Sequence, residues 1–366
     1  MEKCVVIQQR DEFRWDALHL APALAEQTVL AVRELLAESA AANTTRSYAS
    51  ALRYWAFWYT LRFGRALELP LEESDVVQFL VDHVGRRAAG DGDLRWELPP
   101  EIDQALVHAG AKSKPGPLKV STVEHRLAVL STAHKLRDLA NPCENPAVKL
   151  LMRSARRAAH KRGDSPRKKT ALGADDVRTV LDACDSSLAG IRDRALIALA
   201  FSSGGRRRSE VAQIQVEELR RTPAGDWVFR LERAKTLQDG PRAGRAAEKP
   251  VRGEAARALE AWLVASGVST GPLFRRLRGD TVEGGLSGRA VAEIIKRRTA
   301  AAGLDGDFGG HSLRAGFSTE AGRQGVPLQE AMHLSDHTSV QTFLSYYQAG
   351  AVERNQAGGF LATQDD

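Results

Sequence analysis

At 366 residues the chain is longer than one hydrophobic core usually supports, so two domains are expected. Its 43% hydrophobic content excludes a wholly disordered chain. A net charge of +6 and a pI near 9.3 favour an anionic partner. The charge is concentrated: Arg153, Arg156, Arg157, Lys161, Arg162, Arg167, Lys168 and Lys169 stand against Asp164 alone, an excess greater than that of the whole chain. Such a run can be a solvated linker, but a strap along a phosphate backbone explains its density better. The three cysteines, Cys4, Cys143 and Cys184, are odd in number and far apart. They form neither a disulfide framework nor a paired zinc set, which fits a reducing cytoplasm. The apolar run near the start is too short for a signal peptide, and the longest one, 195–201, is far too short to cross a bilayer.

In chain order, residues 1–25 show no clear period and read as a lead-in. Val29, Leu30, Val32, Leu35 and Leu36 predict a helix over 27–39. The next helix, capped by Asn43 or Thr44 and ended by Gly64, places Tyr48, Ala51, Leu52, Trp55, Trp58 and Tyr59 on one face. That spacing makes the aromatics bundle core rather than a stacking platform for bases. Arg46 and Arg53, towards the other side, are the candidates for DNA contact. Helices are expected at 74–84 and 102–109. A capping box at Ser121 to Glu124 opens another that runs to 136. Asn141-Pro142 and Asn145-Pro146 break the chain, and a helix restarting at 148–153 runs into the basic segment. We therefore expect a helical domain over 26–152 and a basic linker over 153–169. Beyond it, helices are predicted at 175–183, 191–201 and 207–214. Strands follow at 216–221, 227–233 and 249–251, and then helices alone: 254–266, 288–302, 312–324, 328–334 and one bearing Tyr346. The second domain, 170–350, is thus mainly α with a small antiparallel β-sheet, followed by a tail over 351–366.

The last fifth of the chain carries the chemistry. Gly310-His311-Ser312-Leu313-Arg314, Leu334-Ser335-Asp336-His337 and Tyr346-Tyr347 are read with Gly205-Arg206-Arg207-Arg208-Ser209-Glu210 and Lys235. Arginine forks match phosphate oxygens, histidine and lysine move protons near neutral pH, and a tyrosine oxygen can act as a covalent nucleophile. His311 and Arg314, three apart, share a helix face. His337 and Tyr346, nine apart, converge only if the chain breaks between them, and Thr338, Ser339 and Val340 are suited to a break. His333, Asp336 and His337 lack the pattern of a zinc site. No Gly-x-x-x-x-Gly-Lys-Ser/Thr loop is present, so neither a metal nor ATP is expected.

These residues together resemble the tyrosine recombinase (phage integrase) family, over residues 170–350. The family's Gly-x-Arg-x-x-Glu, hairpin lysine, His-x-x-Arg pair, second histidine and tyrosine nine residues later fall on Arg207 with Glu210, Lys235, His311 and Arg314, His337, and Tyr346. The resemblance implies a C-shaped DNA clamp whose helical (SAM-like) half binds the core site. It also implies a homotetramer on inverted half-sites of double-stranded DNA, and a 3′-phosphotyrosine intermediate. Integration or excision of a bacterial mobile element is the implied use, and accessory DNA-bending proteins are compatible with it. In that scheme Arg207 and Arg314 clamp the phosphate, Lys235 protonates the leaving 5′-oxygen, His311 takes the tyrosine proton and His337 donates to a non-bridging oxygen. Glu210 holds Arg207. Arg46, Arg53, Arg156, Arg157, Lys161, Arg162, Lys168 and Lys169 are the candidate DNA contacts. Tyr347 competes as nucleophile, and Lys249 lies near Lys235 in sequence. A type IB topoisomerase shares the chemistry. A non-catalytic DNA-binding regulator is the alternative from another class, because Asp336 stands where the family usually has glycine. A carboxylate there is expected to repel a phosphate or crowd the backbone.

Overall fold

The computed structural model describes residues 5–7, 42–87, 92–164, 169–230 and 248–352. The helix predicted over 27–39, Lys168, Lys235 and the tail beyond 352 lie outside the described residues. The chain separates into two compact units, Met1–Pro166 and Arg167–Asp366.

The first unit contains helices α1 (Ala42–Phe63), α2 (Glu73–His83), α3 (Pro100–His108), α4 (Val120–Leu136) and α5 (Pro146–Lys161). A small sheet joins β1 (Val5–Ile7) to β2 (Leu67–Leu69), antiparallel, with Val5 opposite Leu69. Residues 5–7 were expected to belong to an irregular lead-in; strands of three residues are too short to leave a period in the sequence. Tyr54, Trp55, Trp58 and Phe79 are fully buried, and Trp55 stacks on Phe79 at 3.8 Å between ring centres. The aromatics of α1 are core, and Arg46 and Arg53 remain exposed. The polar ends of these rings are satisfied. Trp58 donates to Asp82 at 2.9 Å, and the Tyr54 hydroxyl meets His83 Nε2 at 2.7 Å. His83 Nδ1 faces the Phe79 carbonyl and so carries the proton, which makes Nε2 the acceptor from Tyr54. Burial drives the pKa of this imidazole down to about 3, so it is neutral at pH 7.

Two expectations change in this unit. The Ser121 capping box does not form: α4 begins at Val120 behind Lys119, placing Ser121 inside the first turn, and the Glu124 carboxylate pairs with Arg156. The basic segment expected to be a linker from Arg153 is helical as far as Lys161. Arg, Lys and Ala are strong helix formers, and Met152 and Ala159 give the extension a buried side. Asn145 caps α5 by accepting from the Ala147 amide at 2.8 Å.

The second unit contains α6 (Ala174–Asp182), α7 (Leu188–Ser202), α8 (Arg208–Gln213), β3 (Leu219–Arg221), β4 (Trp227–Arg230), β5 (Glu248–Val251) and α9 (Gly253–Ser266). It continues through β6 (Arg275–Arg278), β7 (Thr281–Gly285), α10 (Gly288–Ala301), α11 (Ser312–Gln324), α12 (Leu328–Ser335) and α13 (Val340–Ala351). Residues 195–200 of α7 are all buried, so this apolar half of the helix is enclosed on every side. Its one buried carboxylate, Asp193, accepts from Arg192, Arg297 and Arg298 at 2.7 to 2.9 Å, which ties α7 to α10 and offsets the cost of burying the charge. Strands β3, β4 and β5 form an antiparallel sheet, with Trp227 between Arg221 and Val251. The β6–β7 hairpin corrects the expectation of helices alone beyond residue 254. Only Leu277 and Val282 mark its alternation among the arginines, so Gly279 at the turn (φ +60°) is the main sequence signal. None of the described helices is long and apolar enough to cross a membrane.

Candidate active site

Between α7 and α8, Gly204 and Gly205 take φ of +103° and +66°. A Cβ on Gly205 would lie 2.5 Å from Arg314 Cα, and one on Gly204 would lie 2.5 Å from the Leu334 carbonyl. Glycine here therefore serves both the left-handed backbone and close contact with α11 and α12. We expect Gly205→Ala to cost at least about 2 kcal/mol, because strain and a backbone clash add. Thermal melting of the full chain should show a larger fall than for Gly225→Ala, which is also left-handed (φ +87°) but faces open space.

The three arginines after this turn diverge. Arg206 is buried, Arg207 is partly exposed and Arg208 is exposed. Arg207 caps α8, and the buried carboxylate of Glu210 accepts from both its backbone N–H, at 3.0 Å, and its Nη1. Arg314, in the first turn of α11, is 3% exposed. Its Nη1 donates to the Gly205 carbonyl at 3.3 Å, while Nη2 is buried with no hydrogen-bond partner. Burial first, then repulsion from Arg207, lowers the Arg314 pKa to about 9, which leaves it charged at pH 7.

His311 sits at the N-cap of α11, and its ring meets the edge of Tyr346 with centres 6.3 Å apart. Partial burial, then Arg314 and Arg207, pushes its pKa down and leaves a neutral base at pH 7. The chain between His337 and Tyr346 does break. Asp336 ends α12 in the left-handed region, residues 337–339 are irregular, and Ser339 caps α13. His337 Nδ1 lies 2.7 Å from Ser335 Oγ, and its ring packs on Phe343. Burial, then Arg314 and Arg207, lowers its pKa to about 3. Arg207, Arg314, His311, His337 and Tyr346 thus gather in one region. Tyr346 and Tyr347 are distinguished by their surroundings. The Tyr347 hydroxyl donates to the Val326 carbonyl at 2.6 Å and its ring packs on Phe343, whereas Tyr346 faces His311.

The His337 value has a testable consequence. Unfolding returns its pKa to near 6.5, so between pH 6.5 and about 3 the unfolded state holds more protons and stability falls as pH drops. We expect the melting temperature of the wild type to fall more steeply from pH 7 to pH 5 than that of His337→Gln.

Among the other candidates, Arg46 lines a cleft of about 440 Å³ on α1 and α4 with Asn43, Ser47, Ser50, His125 and Arg126. In this cleft Ser47 and His125 bond each other at 2.9 Å. Arg156, Arg157 and Lys161 are exposed on α5, although Arg156 pairs with Glu124. Arg162 pairs with Asp164 at 3.0 Å, and Lys169 pairs with Asp307. Lys249 lies on β5, as the predicted strand at 249–251 implied; it is buried, and its Nζ donates to Asp336 at 2.9 Å. Arg206 donates to the other oxygen of Asp336 at 2.7 Å. Asp336, expected to repel a phosphate or crowd the backbone, has both carboxylate oxygens engaged by these buried cations.

Residues 170–354 match the phage integrase family. An integrase/recombinase XerD homolog of Selenomonas ruminantium is 33% identical over 65% of this chain and 71% of its own length. The Cre recombinase of Escherichia phage P1 is 28% identical over 68% and 75%, respectively. The XerH site-specific recombinase, solved on a palindromic difH substrate as a post-cleavage complex, has the same fold: TM-score 0.56, 16% identity, covering 93% of this chain and 86% of that one. The Tn1549 transposon integrase, solved with transposon right-end DNA, gives a TM-score of 0.54 at 12% identity over 90% and 98%. The chain belongs to the phage integrase family, and it is a site-specific tyrosine recombinase that cuts and rejoins DNA.

Proposed function

We propose that Tyr346 is the nucleophile and that the surrounding side chains act on one scissile phosphate. Its oxygen attacks phosphorus and the bond to the 5′-oxygen breaks, giving a 3′-phosphotyrosine and a free 5′-hydroxyl. His311 takes the phenol proton, and Lys235 supplies a proton to the leaving oxygen. Arg207 and Arg314 neutralise charge on the non-bridging oxygens, with Glu210 holding Arg207, and His337 donates to one of the same oxygens. Reversal by a second strand's 5′-hydroxyl rejoins the DNA, so the bond energy is kept and no ATP is consumed. The observation that carries this reading is the neutral His311 ring against Tyr346, beside two guanidinium groups, one with a buried unpartnered Nη2. A buried donor without an acceptor is costly, and a phosphate oxygen would satisfy it.

In the same reading the helical region 26–152 and the basic segment 153–169 hold the core site, residues 170–350 perform catalysis, and the tail from 351 docks on a neighbouring subunit. Four copies act on two duplexes carrying inverted half-sites, with or without DNA-bending proteins, in a bacterial cytoplasm, during integration or excision of a mobile element. The regulator alternative rests on Asp336, and the pairing of that carboxylate with two buried cations supports the catalytic reading. The test is a nicked duplex, selected from a random-sequence library for binding to the full chain, that releases the strand beyond the cut. A covalent adduct is expected; a band shift without one would favour a regulator. Relaxation of any supercoiled plasmid, without recombination of paired sites, would favour a topoisomerase.

A further inference from the structure

Three of the buried charges that the mechanism does not use stand next to the site. Arg206 and Lys249 are each 1% exposed and Asp336 is 7% exposed. They come from three separate places: the turn before α8, strand β5 and the end of α12. Arg206 Nη1 lies 2.7 Å from one Asp336 oxygen, and Lys249 Nζ lies 2.9 Å from the other. The same two cations also take carbonyls from the last turn of α12. Arg206 Nη2 donates to Leu334 at 2.6 Å, and Lys249 to His333 at 3.4 Å. Both carbonyls lie in the last turn of the helix, where cations complement the partial negative charge of the C-terminus. Asp336 itself adopts φ 54°, ψ 38°, a conformation that Asp and Asn tolerate better than most residues.

Each end of this cluster adjoins a site residue. Arg206 precedes Arg207, and Asp336 precedes His337. Glu210, 3.8 Å from Arg206 Nη1, also binds Arg207. We propose that Arg206, Asp336 and Lys249 are positioning residues, a buried ionic latch that sets His337 and the turn into α13 against Arg207 and Arg314. The proposal rests on the site assignment above. It explains why three adjacent arginines do not compete for one phosphate: the charge of Arg206 is committed to Asp336. It also makes the latch a unit, because removing one partner strands the others in the interior.

The test uses the full chain and the selected nicked duplex under single-turnover conditions. Asp336→Asn keeps tolerance of the left-handed backbone and removes the charge. We expect its cleavage rate constant to fall roughly 10- to 100-fold, as small misplacements at a reacting centre do, with DNA affinity within about threefold of wild type. Lys249→Met should slow cleavage as well. The double variant should be less impaired than the product of the two single effects, because the members are coupled. A purely structural role would reduce the fraction of active protein, seen as lower reaction amplitude at an unchanged rate constant. That result, or effects that simply multiply, overturns the latch. A wild-type protein that forms no adduct instead overturns the site assignment on which the latch depends.

Discussion

Tyr346→Phe is expected to abolish covalent attachment to DNA while leaving binding intact. The ring of Tyr346 meets His311, and phenylalanine preserves that contact while removing the attacking oxygen. Loss of the nucleophile should lower cleavage by at least about 10³-fold, since no other group replaces it. Tyr347→Phe should behave differently. Its hydroxyl donates to the Val326 carbonyl, so its removal should cost about 1 kcal/mol of stability and leave adduct formation in place. A gel assay of both variants on the nicked duplex, with a melting curve for each, separates the roles of these neighbours. Cleavage by Tyr346→Phe at more than a small fraction of the wild-type rate would remove Tyr346 from the mechanism.

Arg314→Lys should have the next largest effect. Lysine keeps a positive charge in the pocket but loses the planar fork that meets two oxygens at once. Arg314 spends Nη1 on the Gly205 carbonyl and leaves Nη2 buried without a partner, which is the donor we assign to the phosphate. Cleavage is expected to fall roughly 10²- to 10³-fold, as when one preorganised donor to a developing oxyanion is lost. Affinity for uncut DNA should change little, because Arg314 is one of 52 lysines and arginines in the chain. A rate within about threefold of wild type would place the phosphate away from Arg314.

How much of this was legible in the sequence depends on the range of the signal. Helix α11 keeps its expected span, 312–324, and α12 ends one residue beyond the expected 328–334. The choice of Arg207 among three arginines follows from its distance to Glu210, and the structure shows why that spacing matters: one carboxylate holds both the N-cap amide and the guanidinium. Short elements left little trace. Strand β1 is three residues long, and the β6–β7 hairpin is too rich in arginine for apolar alternation to show. The Asp336 pairing could not be read from sequence. Its partners lie 130 and 87 residues away, and buried ion pairs have no period. A lone carboxylate near a phosphate suggests repulsion. Only tertiary structure reveals that two buried cations have already claimed it.

The most direct measurement is peptide mapping of the protein–DNA adduct trapped on the nicked duplex. We expect a single modified peptide, with the 3′-phosphate joined to the oxygen of Tyr346. Attachment at Tyr347, or at any other residue, would contradict the assignment of the nucleophile and the arrangement built around it.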